Sequence, residues 1–201
     1  MTEARSLKRA GTLFVVGIGQ FVVFLVLAEV YYPGYDVSAN TISDLGATCS
    51  AGACKFVRPS SEIFDASIVV LGLLLLPGAY CLWKGSGSKG LPFFIALAGI
   101  GSLGVGILNE SFGGLHDLVS GLTFISAGIQ ALLVYKVAKP PFSYFLALAG
   151  VMTLVATILY ATDTYLGLGQ GGMERMVIWP ALTGGLALGG YLMGIGDGGA
   201  T

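Results

Sequence analysis

Four short polar segments carry most of the side chains able to do chemistry. They are Asn40-Thr-Ile-Ser43-Asp44-Leu-Gly46, Arg58-Pro-Ser60-Ser61-Glu62-Ile-Phe-Asp65, Asn109-Glu110 with His116-Asp117 shortly after, and Glu174-Arg175. A histidine near carboxylates suits a general base oriented by an acid, which makes His116, Asp117 and Asp65 the candidate catalytic residues. Arginines paired with carboxylates suit a zwitterionic or anionic headgroup. The candidate binding set is therefore Asn40, Ser43, Asp44, Arg58, Glu62, Asp65, Glu110, His116 and Arg175. Taken singly, each acid also has a plain structural explanation, because acids at helix N-termini cap free amides and favour the dipole. His116 is the only histidine. A multi-histidine zinc centre is not expected, and neither is another metal or cofactor. No Gly-rich phosphate loop or nucleophile elbow is present.

The elements that must position these segments follow from charge spacing. Only 10% of the 201 residues are charged and 55% are hydrophobic. A soluble domain carries about a quarter charged residues, so much of this surface must face lipid. Six windows lack Asp, Glu, Lys and Arg, and they hold 19, 18, 20, 18, 23 and 21 residues. A bilayer core of about 30 Å needs roughly 20 helical residues. The expectation is one all-α domain of six transmembrane helices, near 10–32, 62–83, 91–109, 117–135, 142–162 and 175–196, arranged as three antiparallel hairpins. The four polar segments then gather at one face of the membrane.

Arg5, Lys8, Arg9, Lys84, Lys89, Lys136 and Lys139 fall on the side of the termini, against Lys55, Arg58 and Arg175 opposite. The positive-inside rule places both termini in the cytoplasm and the chain in the plasma membrane. Nine of the eleven acids fall on the outer side. Cys49 and Cys54 lie in the long first outer loop, about 33–60, where a local disulfide is expected. Gly167, Gly169, Gly171 and Gly172 predict a mobile third outer loop. Phe93–Asn109 aligns with Tyr144–Tyr160 at eight of seventeen positions, which suggests that spans three and four are related to spans five and six by duplication. Ser102 and Gly106, and Gly185 and Gly189, have the small-xxx-small spacing of close helix contacts.

Six spans, the Asn40–Gly46 segment, Phe64-Asp65 at the start of span two and His116-Asp117 opening span four together resemble the prokaryotic membrane family called "domain of unknown function 998". The resemblance implies no activity. It draws attention to Asn40, Ser43, Asp44, Asp65, His116 and Arg175 as a shared outer-face group. No ionisable residue lies deep in a span, which argues against ion-coupled transport. The leading expectation is a protein that binds membrane lipids, a membrane-protein partner or a second copy through its outer polar pocket, as an accessory subunit if a larger complex exists. The alternatives are a membrane-embedded enzyme acting on lipid headgroups and a passive transporter or channel. Near-zero net charge points to no nucleic-acid partner.

Overall fold

In a computed structural model, residues 3–50 and 52–197 are described. The chain forms six long helices: α1 (Glu3–Val30), α2 (Ser60–Ser86), α3 (Gly90–Ile107), α4 (Gly114–Leu132), α5 (Phe142–Ala161) and α6 (Gly169–Asp197). All six are long and apolar enough to cross a membrane, α4 together with its short 3-10 extension to Lys136. At about 1.5 Å per residue, even the 18-residue α3 reaches about 27 Å. Local chemistry sets several ends. Gly87 adopts φ 66° and stops α2. The Pro140-Pro141 pair precedes α5, where the ring nitrogens remove donors that a first turn does not use.

Each helix packs against its neighbours in sequence, and α6 closes on α1, so the three hairpins join into a ring. Glycines let the backbones approach. A Cβ on Gly11 would lie 2.4 Å from the Gly189 carbonyl oxygen, one on Gly72 2.6 Å from that of Gly99, and one on Gly150 2.8 Å from that of Gly128. These contacts join α1 to α6, α2 to α3, and α4 to α5. Gly99 and Gly150 match in the sequence repeat, and each faces the preceding helix.

The two ends of the ring differ. At the end holding the start of α1 and the end of α6, Phe14, Ala79, Leu82, Leu91, Leu188 and Leu192 are buried in one apolar cluster. At the other end, residues 31–59 fold back over the bundle. Within this loop Thr41, Ile42, Ser43, Leu45 and Ala47 are buried, and Ile42 and Leu45 join the apolar core. A small hairpin, β1 (Thr48–Ser50) and β2 (Ala53–Lys55), stands beyond them and is closed by the Cys49–Cys54 disulfide. Of the glycines in the third connecting loop, Gly169, Gly171 and Gly172 lie in the first turn of α6, and Gly167 lies in the turn before it. A Cβ on Gly171 would sit 2.0 Å from the Asn40 carbonyl oxygen, so the loop rests directly on this turn.

Candidate functional site: a cavity at the loop end

The loop is fastened to α6 by two consecutive residues. The Glu174 side chain is 1% exposed and accepts hydrogen bonds from the Ile42 amide and from Ser43 Oγ at 3.0 Å. Arg175 Nη2 donates to Glu29 Oε1 at 2.6 Å and to the Tyr35 hydroxyl at 2.8 Å. Its Nη1 reaches the carbonyls of Val37, Asn40 and Gly171 at 2.9, 3.1 and 3.0 Å. Tyr35 in turn donates to the Thr41 carbonyl at 2.7 Å, and burial pushes its phenol pKa up. The planar guanidinium has donors in a fixed fork, and this fork is occupied by the protein itself.

The loop is also braced from within. Asp44 Oδ2 accepts from Asn40 Nδ2 at 3.1 Å and from the Thr41 amide at 2.9 Å, while the Asp44 amide donates to Thr41 Oγ1 at 2.9 Å. The short polar side chains bond their own backbone, as such residues do in tight turns. Asp36 accepts from the amides of Ser38 and Ala39, which holds its carboxyl below the usual range.

Beneath Ile42 and Ser43 lies a cavity of about 90 Å³. A single water needs roughly 10–15 Å³ on this measure, so the space holds several methylene groups or waters. Phe21, Phe64, Ile68, Leu71, Val105 and Ile178 are among its apolar walls. Five helices line it, and α5 does not. A smaller space of about 10 Å³ adjoins it at Ala127, Gln130 and Ala181 and extends toward Val134 and Leu188 at the termini end.

The polar atoms on these walls share one character. Ser102 Oγ donates to the Ala98 carbonyl and Thr123 Oγ1 to the Val119 carbonyl, both at 2.8 Å. Their protons are spent on their own helices, and lone pairs remain. Gln130 Oε1 is buried without a partner. His116 Nδ1 lies 2.8 Å from the Leu108 carbonyl, which can only accept, so Nδ1 carries the proton and Nε2 is an acceptor. Ser120 Oγ, 3.3 Å from Nε2, then donates to it. With the Glu174 carboxyl oxygens, acceptors outnumber donors on the lining, where the Gln130 amide nitrogen supplies the N–H groups.

Two further acids flank the seal. Glu110 Oε1 accepts from Thr41 Oγ1 at 3.2 Å. Burial, then the nearby carboxylates of Asp44 and Glu174, raise the Glu110 pKa to about 7. Asp65 Oδ2 accepts from Asn109 Nδ2 at 3.2 Å, and its Oδ1 is buried and unpartnered. Gly46 is packed against that oxygen, since a Cβ there would lie 2.6 Å away.

Of the residues singled out from sequence, Ser43 and Glu110 are at the seal, with Asn40, Asp44 and Arg175 fastening it. His116 touches the cavity through Ser120, and Asp65 supports Gly46. Arg58 and Glu62 lie apart. They pair with each other at 2.8 Å, with side chains 81% and 52% exposed. Asp117 is exposed and makes no hydrogen bond to His116, whose orienting partner is a carbonyl instead of a carboxylate. The polar wall residues Ser120, Thr123 and Gln130 were not among the candidate site residues, and Ser102 was read only as a helix contact. The spacing 116, 120, 123, 127, 130 places one stripe of α4 on the cavity and was the available signal.

Searches of curated proteins and of solved structures return no significant match. The family model described as "Protein of unknown function (DUF998)" matches residues 15–191. That span runs from α1 to the last turns of α6 and includes the loop, its fastening residues and the cavity walls. The chain belongs to the DUF998 family of membrane-spanning proteins.

Proposed function

We propose that the protein binds a small amphiphile in the loop-end cavity, with an apolar tail among the aromatic and aliphatic walls and a headgroup that donates hydrogen bonds. A hydroxyl or ammonium group fits this description. The observation that carries the reading is the acceptor character of the lining: Glu174, Ser102, Ser120, Thr123 and Gln130 offer lone pairs, while the one nearby guanidinium is committed to the loop. A phosphate or carboxylate would meet mostly lone pairs, with only the Gln130 amide N–H groups among the described lining residues to satisfy it, and a buried, poorly paired charge is costly. This ligand differs from the zwitterionic or anionic headgroup expected for paired arginines and carboxylates, because Arg175 is committed to the loop and Arg58 lies apart, paired with Glu62.

The test is extraction of the mildly solubilised full-length protein followed by mass spectrometry of the extract. A bound alcohol or amine, retained by the native chain and lost when Ala98→Phe fills the cavity, supports the reading. Recovery of anionic lipids alone, or of the same molecules from Ala98→Phe, would sink it.

One observation favours a second reading. Ser120, His116 and the Leu108 carbonyl stand in the order of a nucleophile, a base and the group that fixes its tautomer. In that reading Ser120 Oγ gives its proton to His116 Nε2 and attacks an ester carbonyl in the cavity, the C–O bond to the alcohol breaks, and the alcohol leaves with that proton. Covalent labelling of Ser120 by a fluorophosphonate, abolished by His116→Ala, supports it, and an unlabelled Ser120 rejects it.

A further inference from the structure

The loop-end cavity continues sideways toward lipid. Ala127, Gln130 and Ala181 line both the cavity and the adjoining space of about 10 Å³, which Leu146 of α5 and Gly184 of α6 also line. Beyond these two helices, on their outer side, lies a groove of about 280 Å³ with Phe145, Leu148, Ala149, Met152, Met176 and Trp179 among its walls. Between the inner space and the outer groove the helices meet at Ala149 and Gly184. A Cβ on Gly184 would lie 3.5 Å from Ala149 Cβ and 3.7 Å from Leu146 Cδ2, which is ordinary contact. At Gly11, Gly72 and Gly150 the corresponding distances are 2.4, 2.6 and 2.8 Å, so this seam is the looser one. Its middle is also held by little. The buried residues of α5 are Ser143, Leu146, Ala149, Gly150, Thr153 and Ala156, and Leu146 alone among them is large. Small side chains remove little apolar area from their surroundings. The firmer contacts stand at the two ends, where Phe142 stacks on Tyr191 at 5.1 Å and Ala156 clusters with Met173 and Val177.

Two features mark the level between those ends. Pro180 has no amide to offer the Met176 carbonyl, so α6 lacks one rung of its ladder there. Ala149, Thr153 and Ala156 share one face of α5. Because Ala149 meets Gly184 and Ala156 meets Val177, Thr153 stands level with Pro180 and Ala181. Its side chain is 0% exposed and its hydroxyl has no hydrogen-bond partner. Gln130 Oε1, on the wall shared by the cavity and the smaller space, is unpartnered as well.

We infer that the amphiphile passes between the bilayer and the cavity through the α5–α6 seam at Ala149 and Gly184, while the loop stays shut. The outer groove takes the apolar tail, and the Thr153 hydroxyl and then Gln130 Oε1 give a donor headgroup successive acceptors as it crosses. Opening the loop instead breaks the buried polar bonds of Glu174 and Arg175. Opening the seam parts small apolar side chains that lipid tails solvate equally well. The inference rests on the proposed ligand and adds its route.

Two disulfide clasps test the route. Ala149→Cys with Gly184→Cys closes the seam, and Gly46→Cys with Asn109→Cys ties the loop to the bundle; the Cβ separations of 3.5 and 3.4 Å suit a disulfide. Each pair is placed in the full-length chain carrying Cys81→Ser and a reporter, Ser102→Cys, at a buried position on the cavity wall. Mass spectrometry confirms each clasp, which forms when the folded chain brings its two positions together. Methyl methanethiosulfonate dissolved in the bilayer of proteoliposomes should label the reporter thiol about tenfold or more slowly with the seam clasp, and within about twofold of the unclasped rate with the loop clasp. The charged 2-sulfonatoethyl analogue, which stays in water, should label the unclasped chain more slowly than the methyl reagent. Slowing by the loop clasp alone, equal slowing by both clasps, slowing by neither, or faster labelling by the charged reagent would overturn the route. Labelling needs no natural ligand, so it reads the route even where extraction finds the cavity empty, and the two failures are told apart.

Discussion

Replacing Glu174 should open the loop seal, and the size of the effect can be worked from its two bonds. Glu174→Ala leaves the Ile42 amide and the Ser43 hydroxyl without their acceptor, at residues only 2% and 8% exposed. An orphaned buried donor costs about 1–3 kcal/mol. The amide is fixed by the backbone and belongs at about 3 kcal/mol, whereas the hydroxyl can turn and belongs at about 1 kcal/mol. The sum is about 4 kcal/mol, close to a thousandfold in the equilibrium for loop opening. Glu174→Gln keeps one acceptor oxygen but points an amide donor at a donor, and should cost about half as much. Hydrogen exchange of peptides spanning residues 36–47, read by mass spectrometry in detergent, measures this directly. Exchange should accelerate strongly in the alanine variant and less in the glutamine variant, with peptides of α3 unchanged. If Glu174→Ala exchanges within threefold of the native chain, Glu174 does not hold the seal.

Other outcomes follow from the same contacts. Arg175→Lys should fail to rescue the seal, because an ammonium cannot reach three carbonyls, a phenol and Glu29 together; about 3 kcal/mol of loop stability should be lost by the same exchange assay. Glu110 titrates near 7 when folded against a usual 4.5, so it favours the folded state in its protonated form. The seal should weaken as pH rises from about 4.5 through 7 and level off above; partial solvent screening reduces the loss to about 2 kcal/mol, and Glu110→Gln should flatten the profile. Gly72→Ala forces α2 away from the Gly99 carbonyl and should lower thermal stability by about 1–3 kcal/mol. Gly19→Ala meets nothing within 4 Å and should be neutral or stabilising by up to about 1 kcal/mol.

The six helices were legible in the sequence because lipid leaves no room for ambiguity: charge-free windows of span length have few other uses. The close helix contacts at Gly106 and Gly189 were also readable, since small-residue spacing states a backbone approach. The seal was not. Ile42 and Leu45 lie in a polar loop segment and gave no periodic signal of burial, yet they are 2% and 0% exposed. Gly169–Gly172 read as a flexible loop because composition cannot show that a second segment, Ser38–Asn40, rests on that turn. Composition also ranked Arg175 above Glu174 as the ligand-facing residue. Helical phase decides otherwise: Glu174, Ile178 and Leu182 recur every four residues and face the cavity, while Arg175 is turned toward the loop.

A titration against three amphiphiles that share one short tail measures the acceptor character of the cavity most directly. With the full-length protein in nanodiscs, butylammonium and butanol should bind at one equivalent and butyl phosphate should bind at least tenfold more weakly, with Ala98→Phe abolishing the binding of all three. Equal or tighter binding of butyl phosphate would contradict an acceptor-rich site.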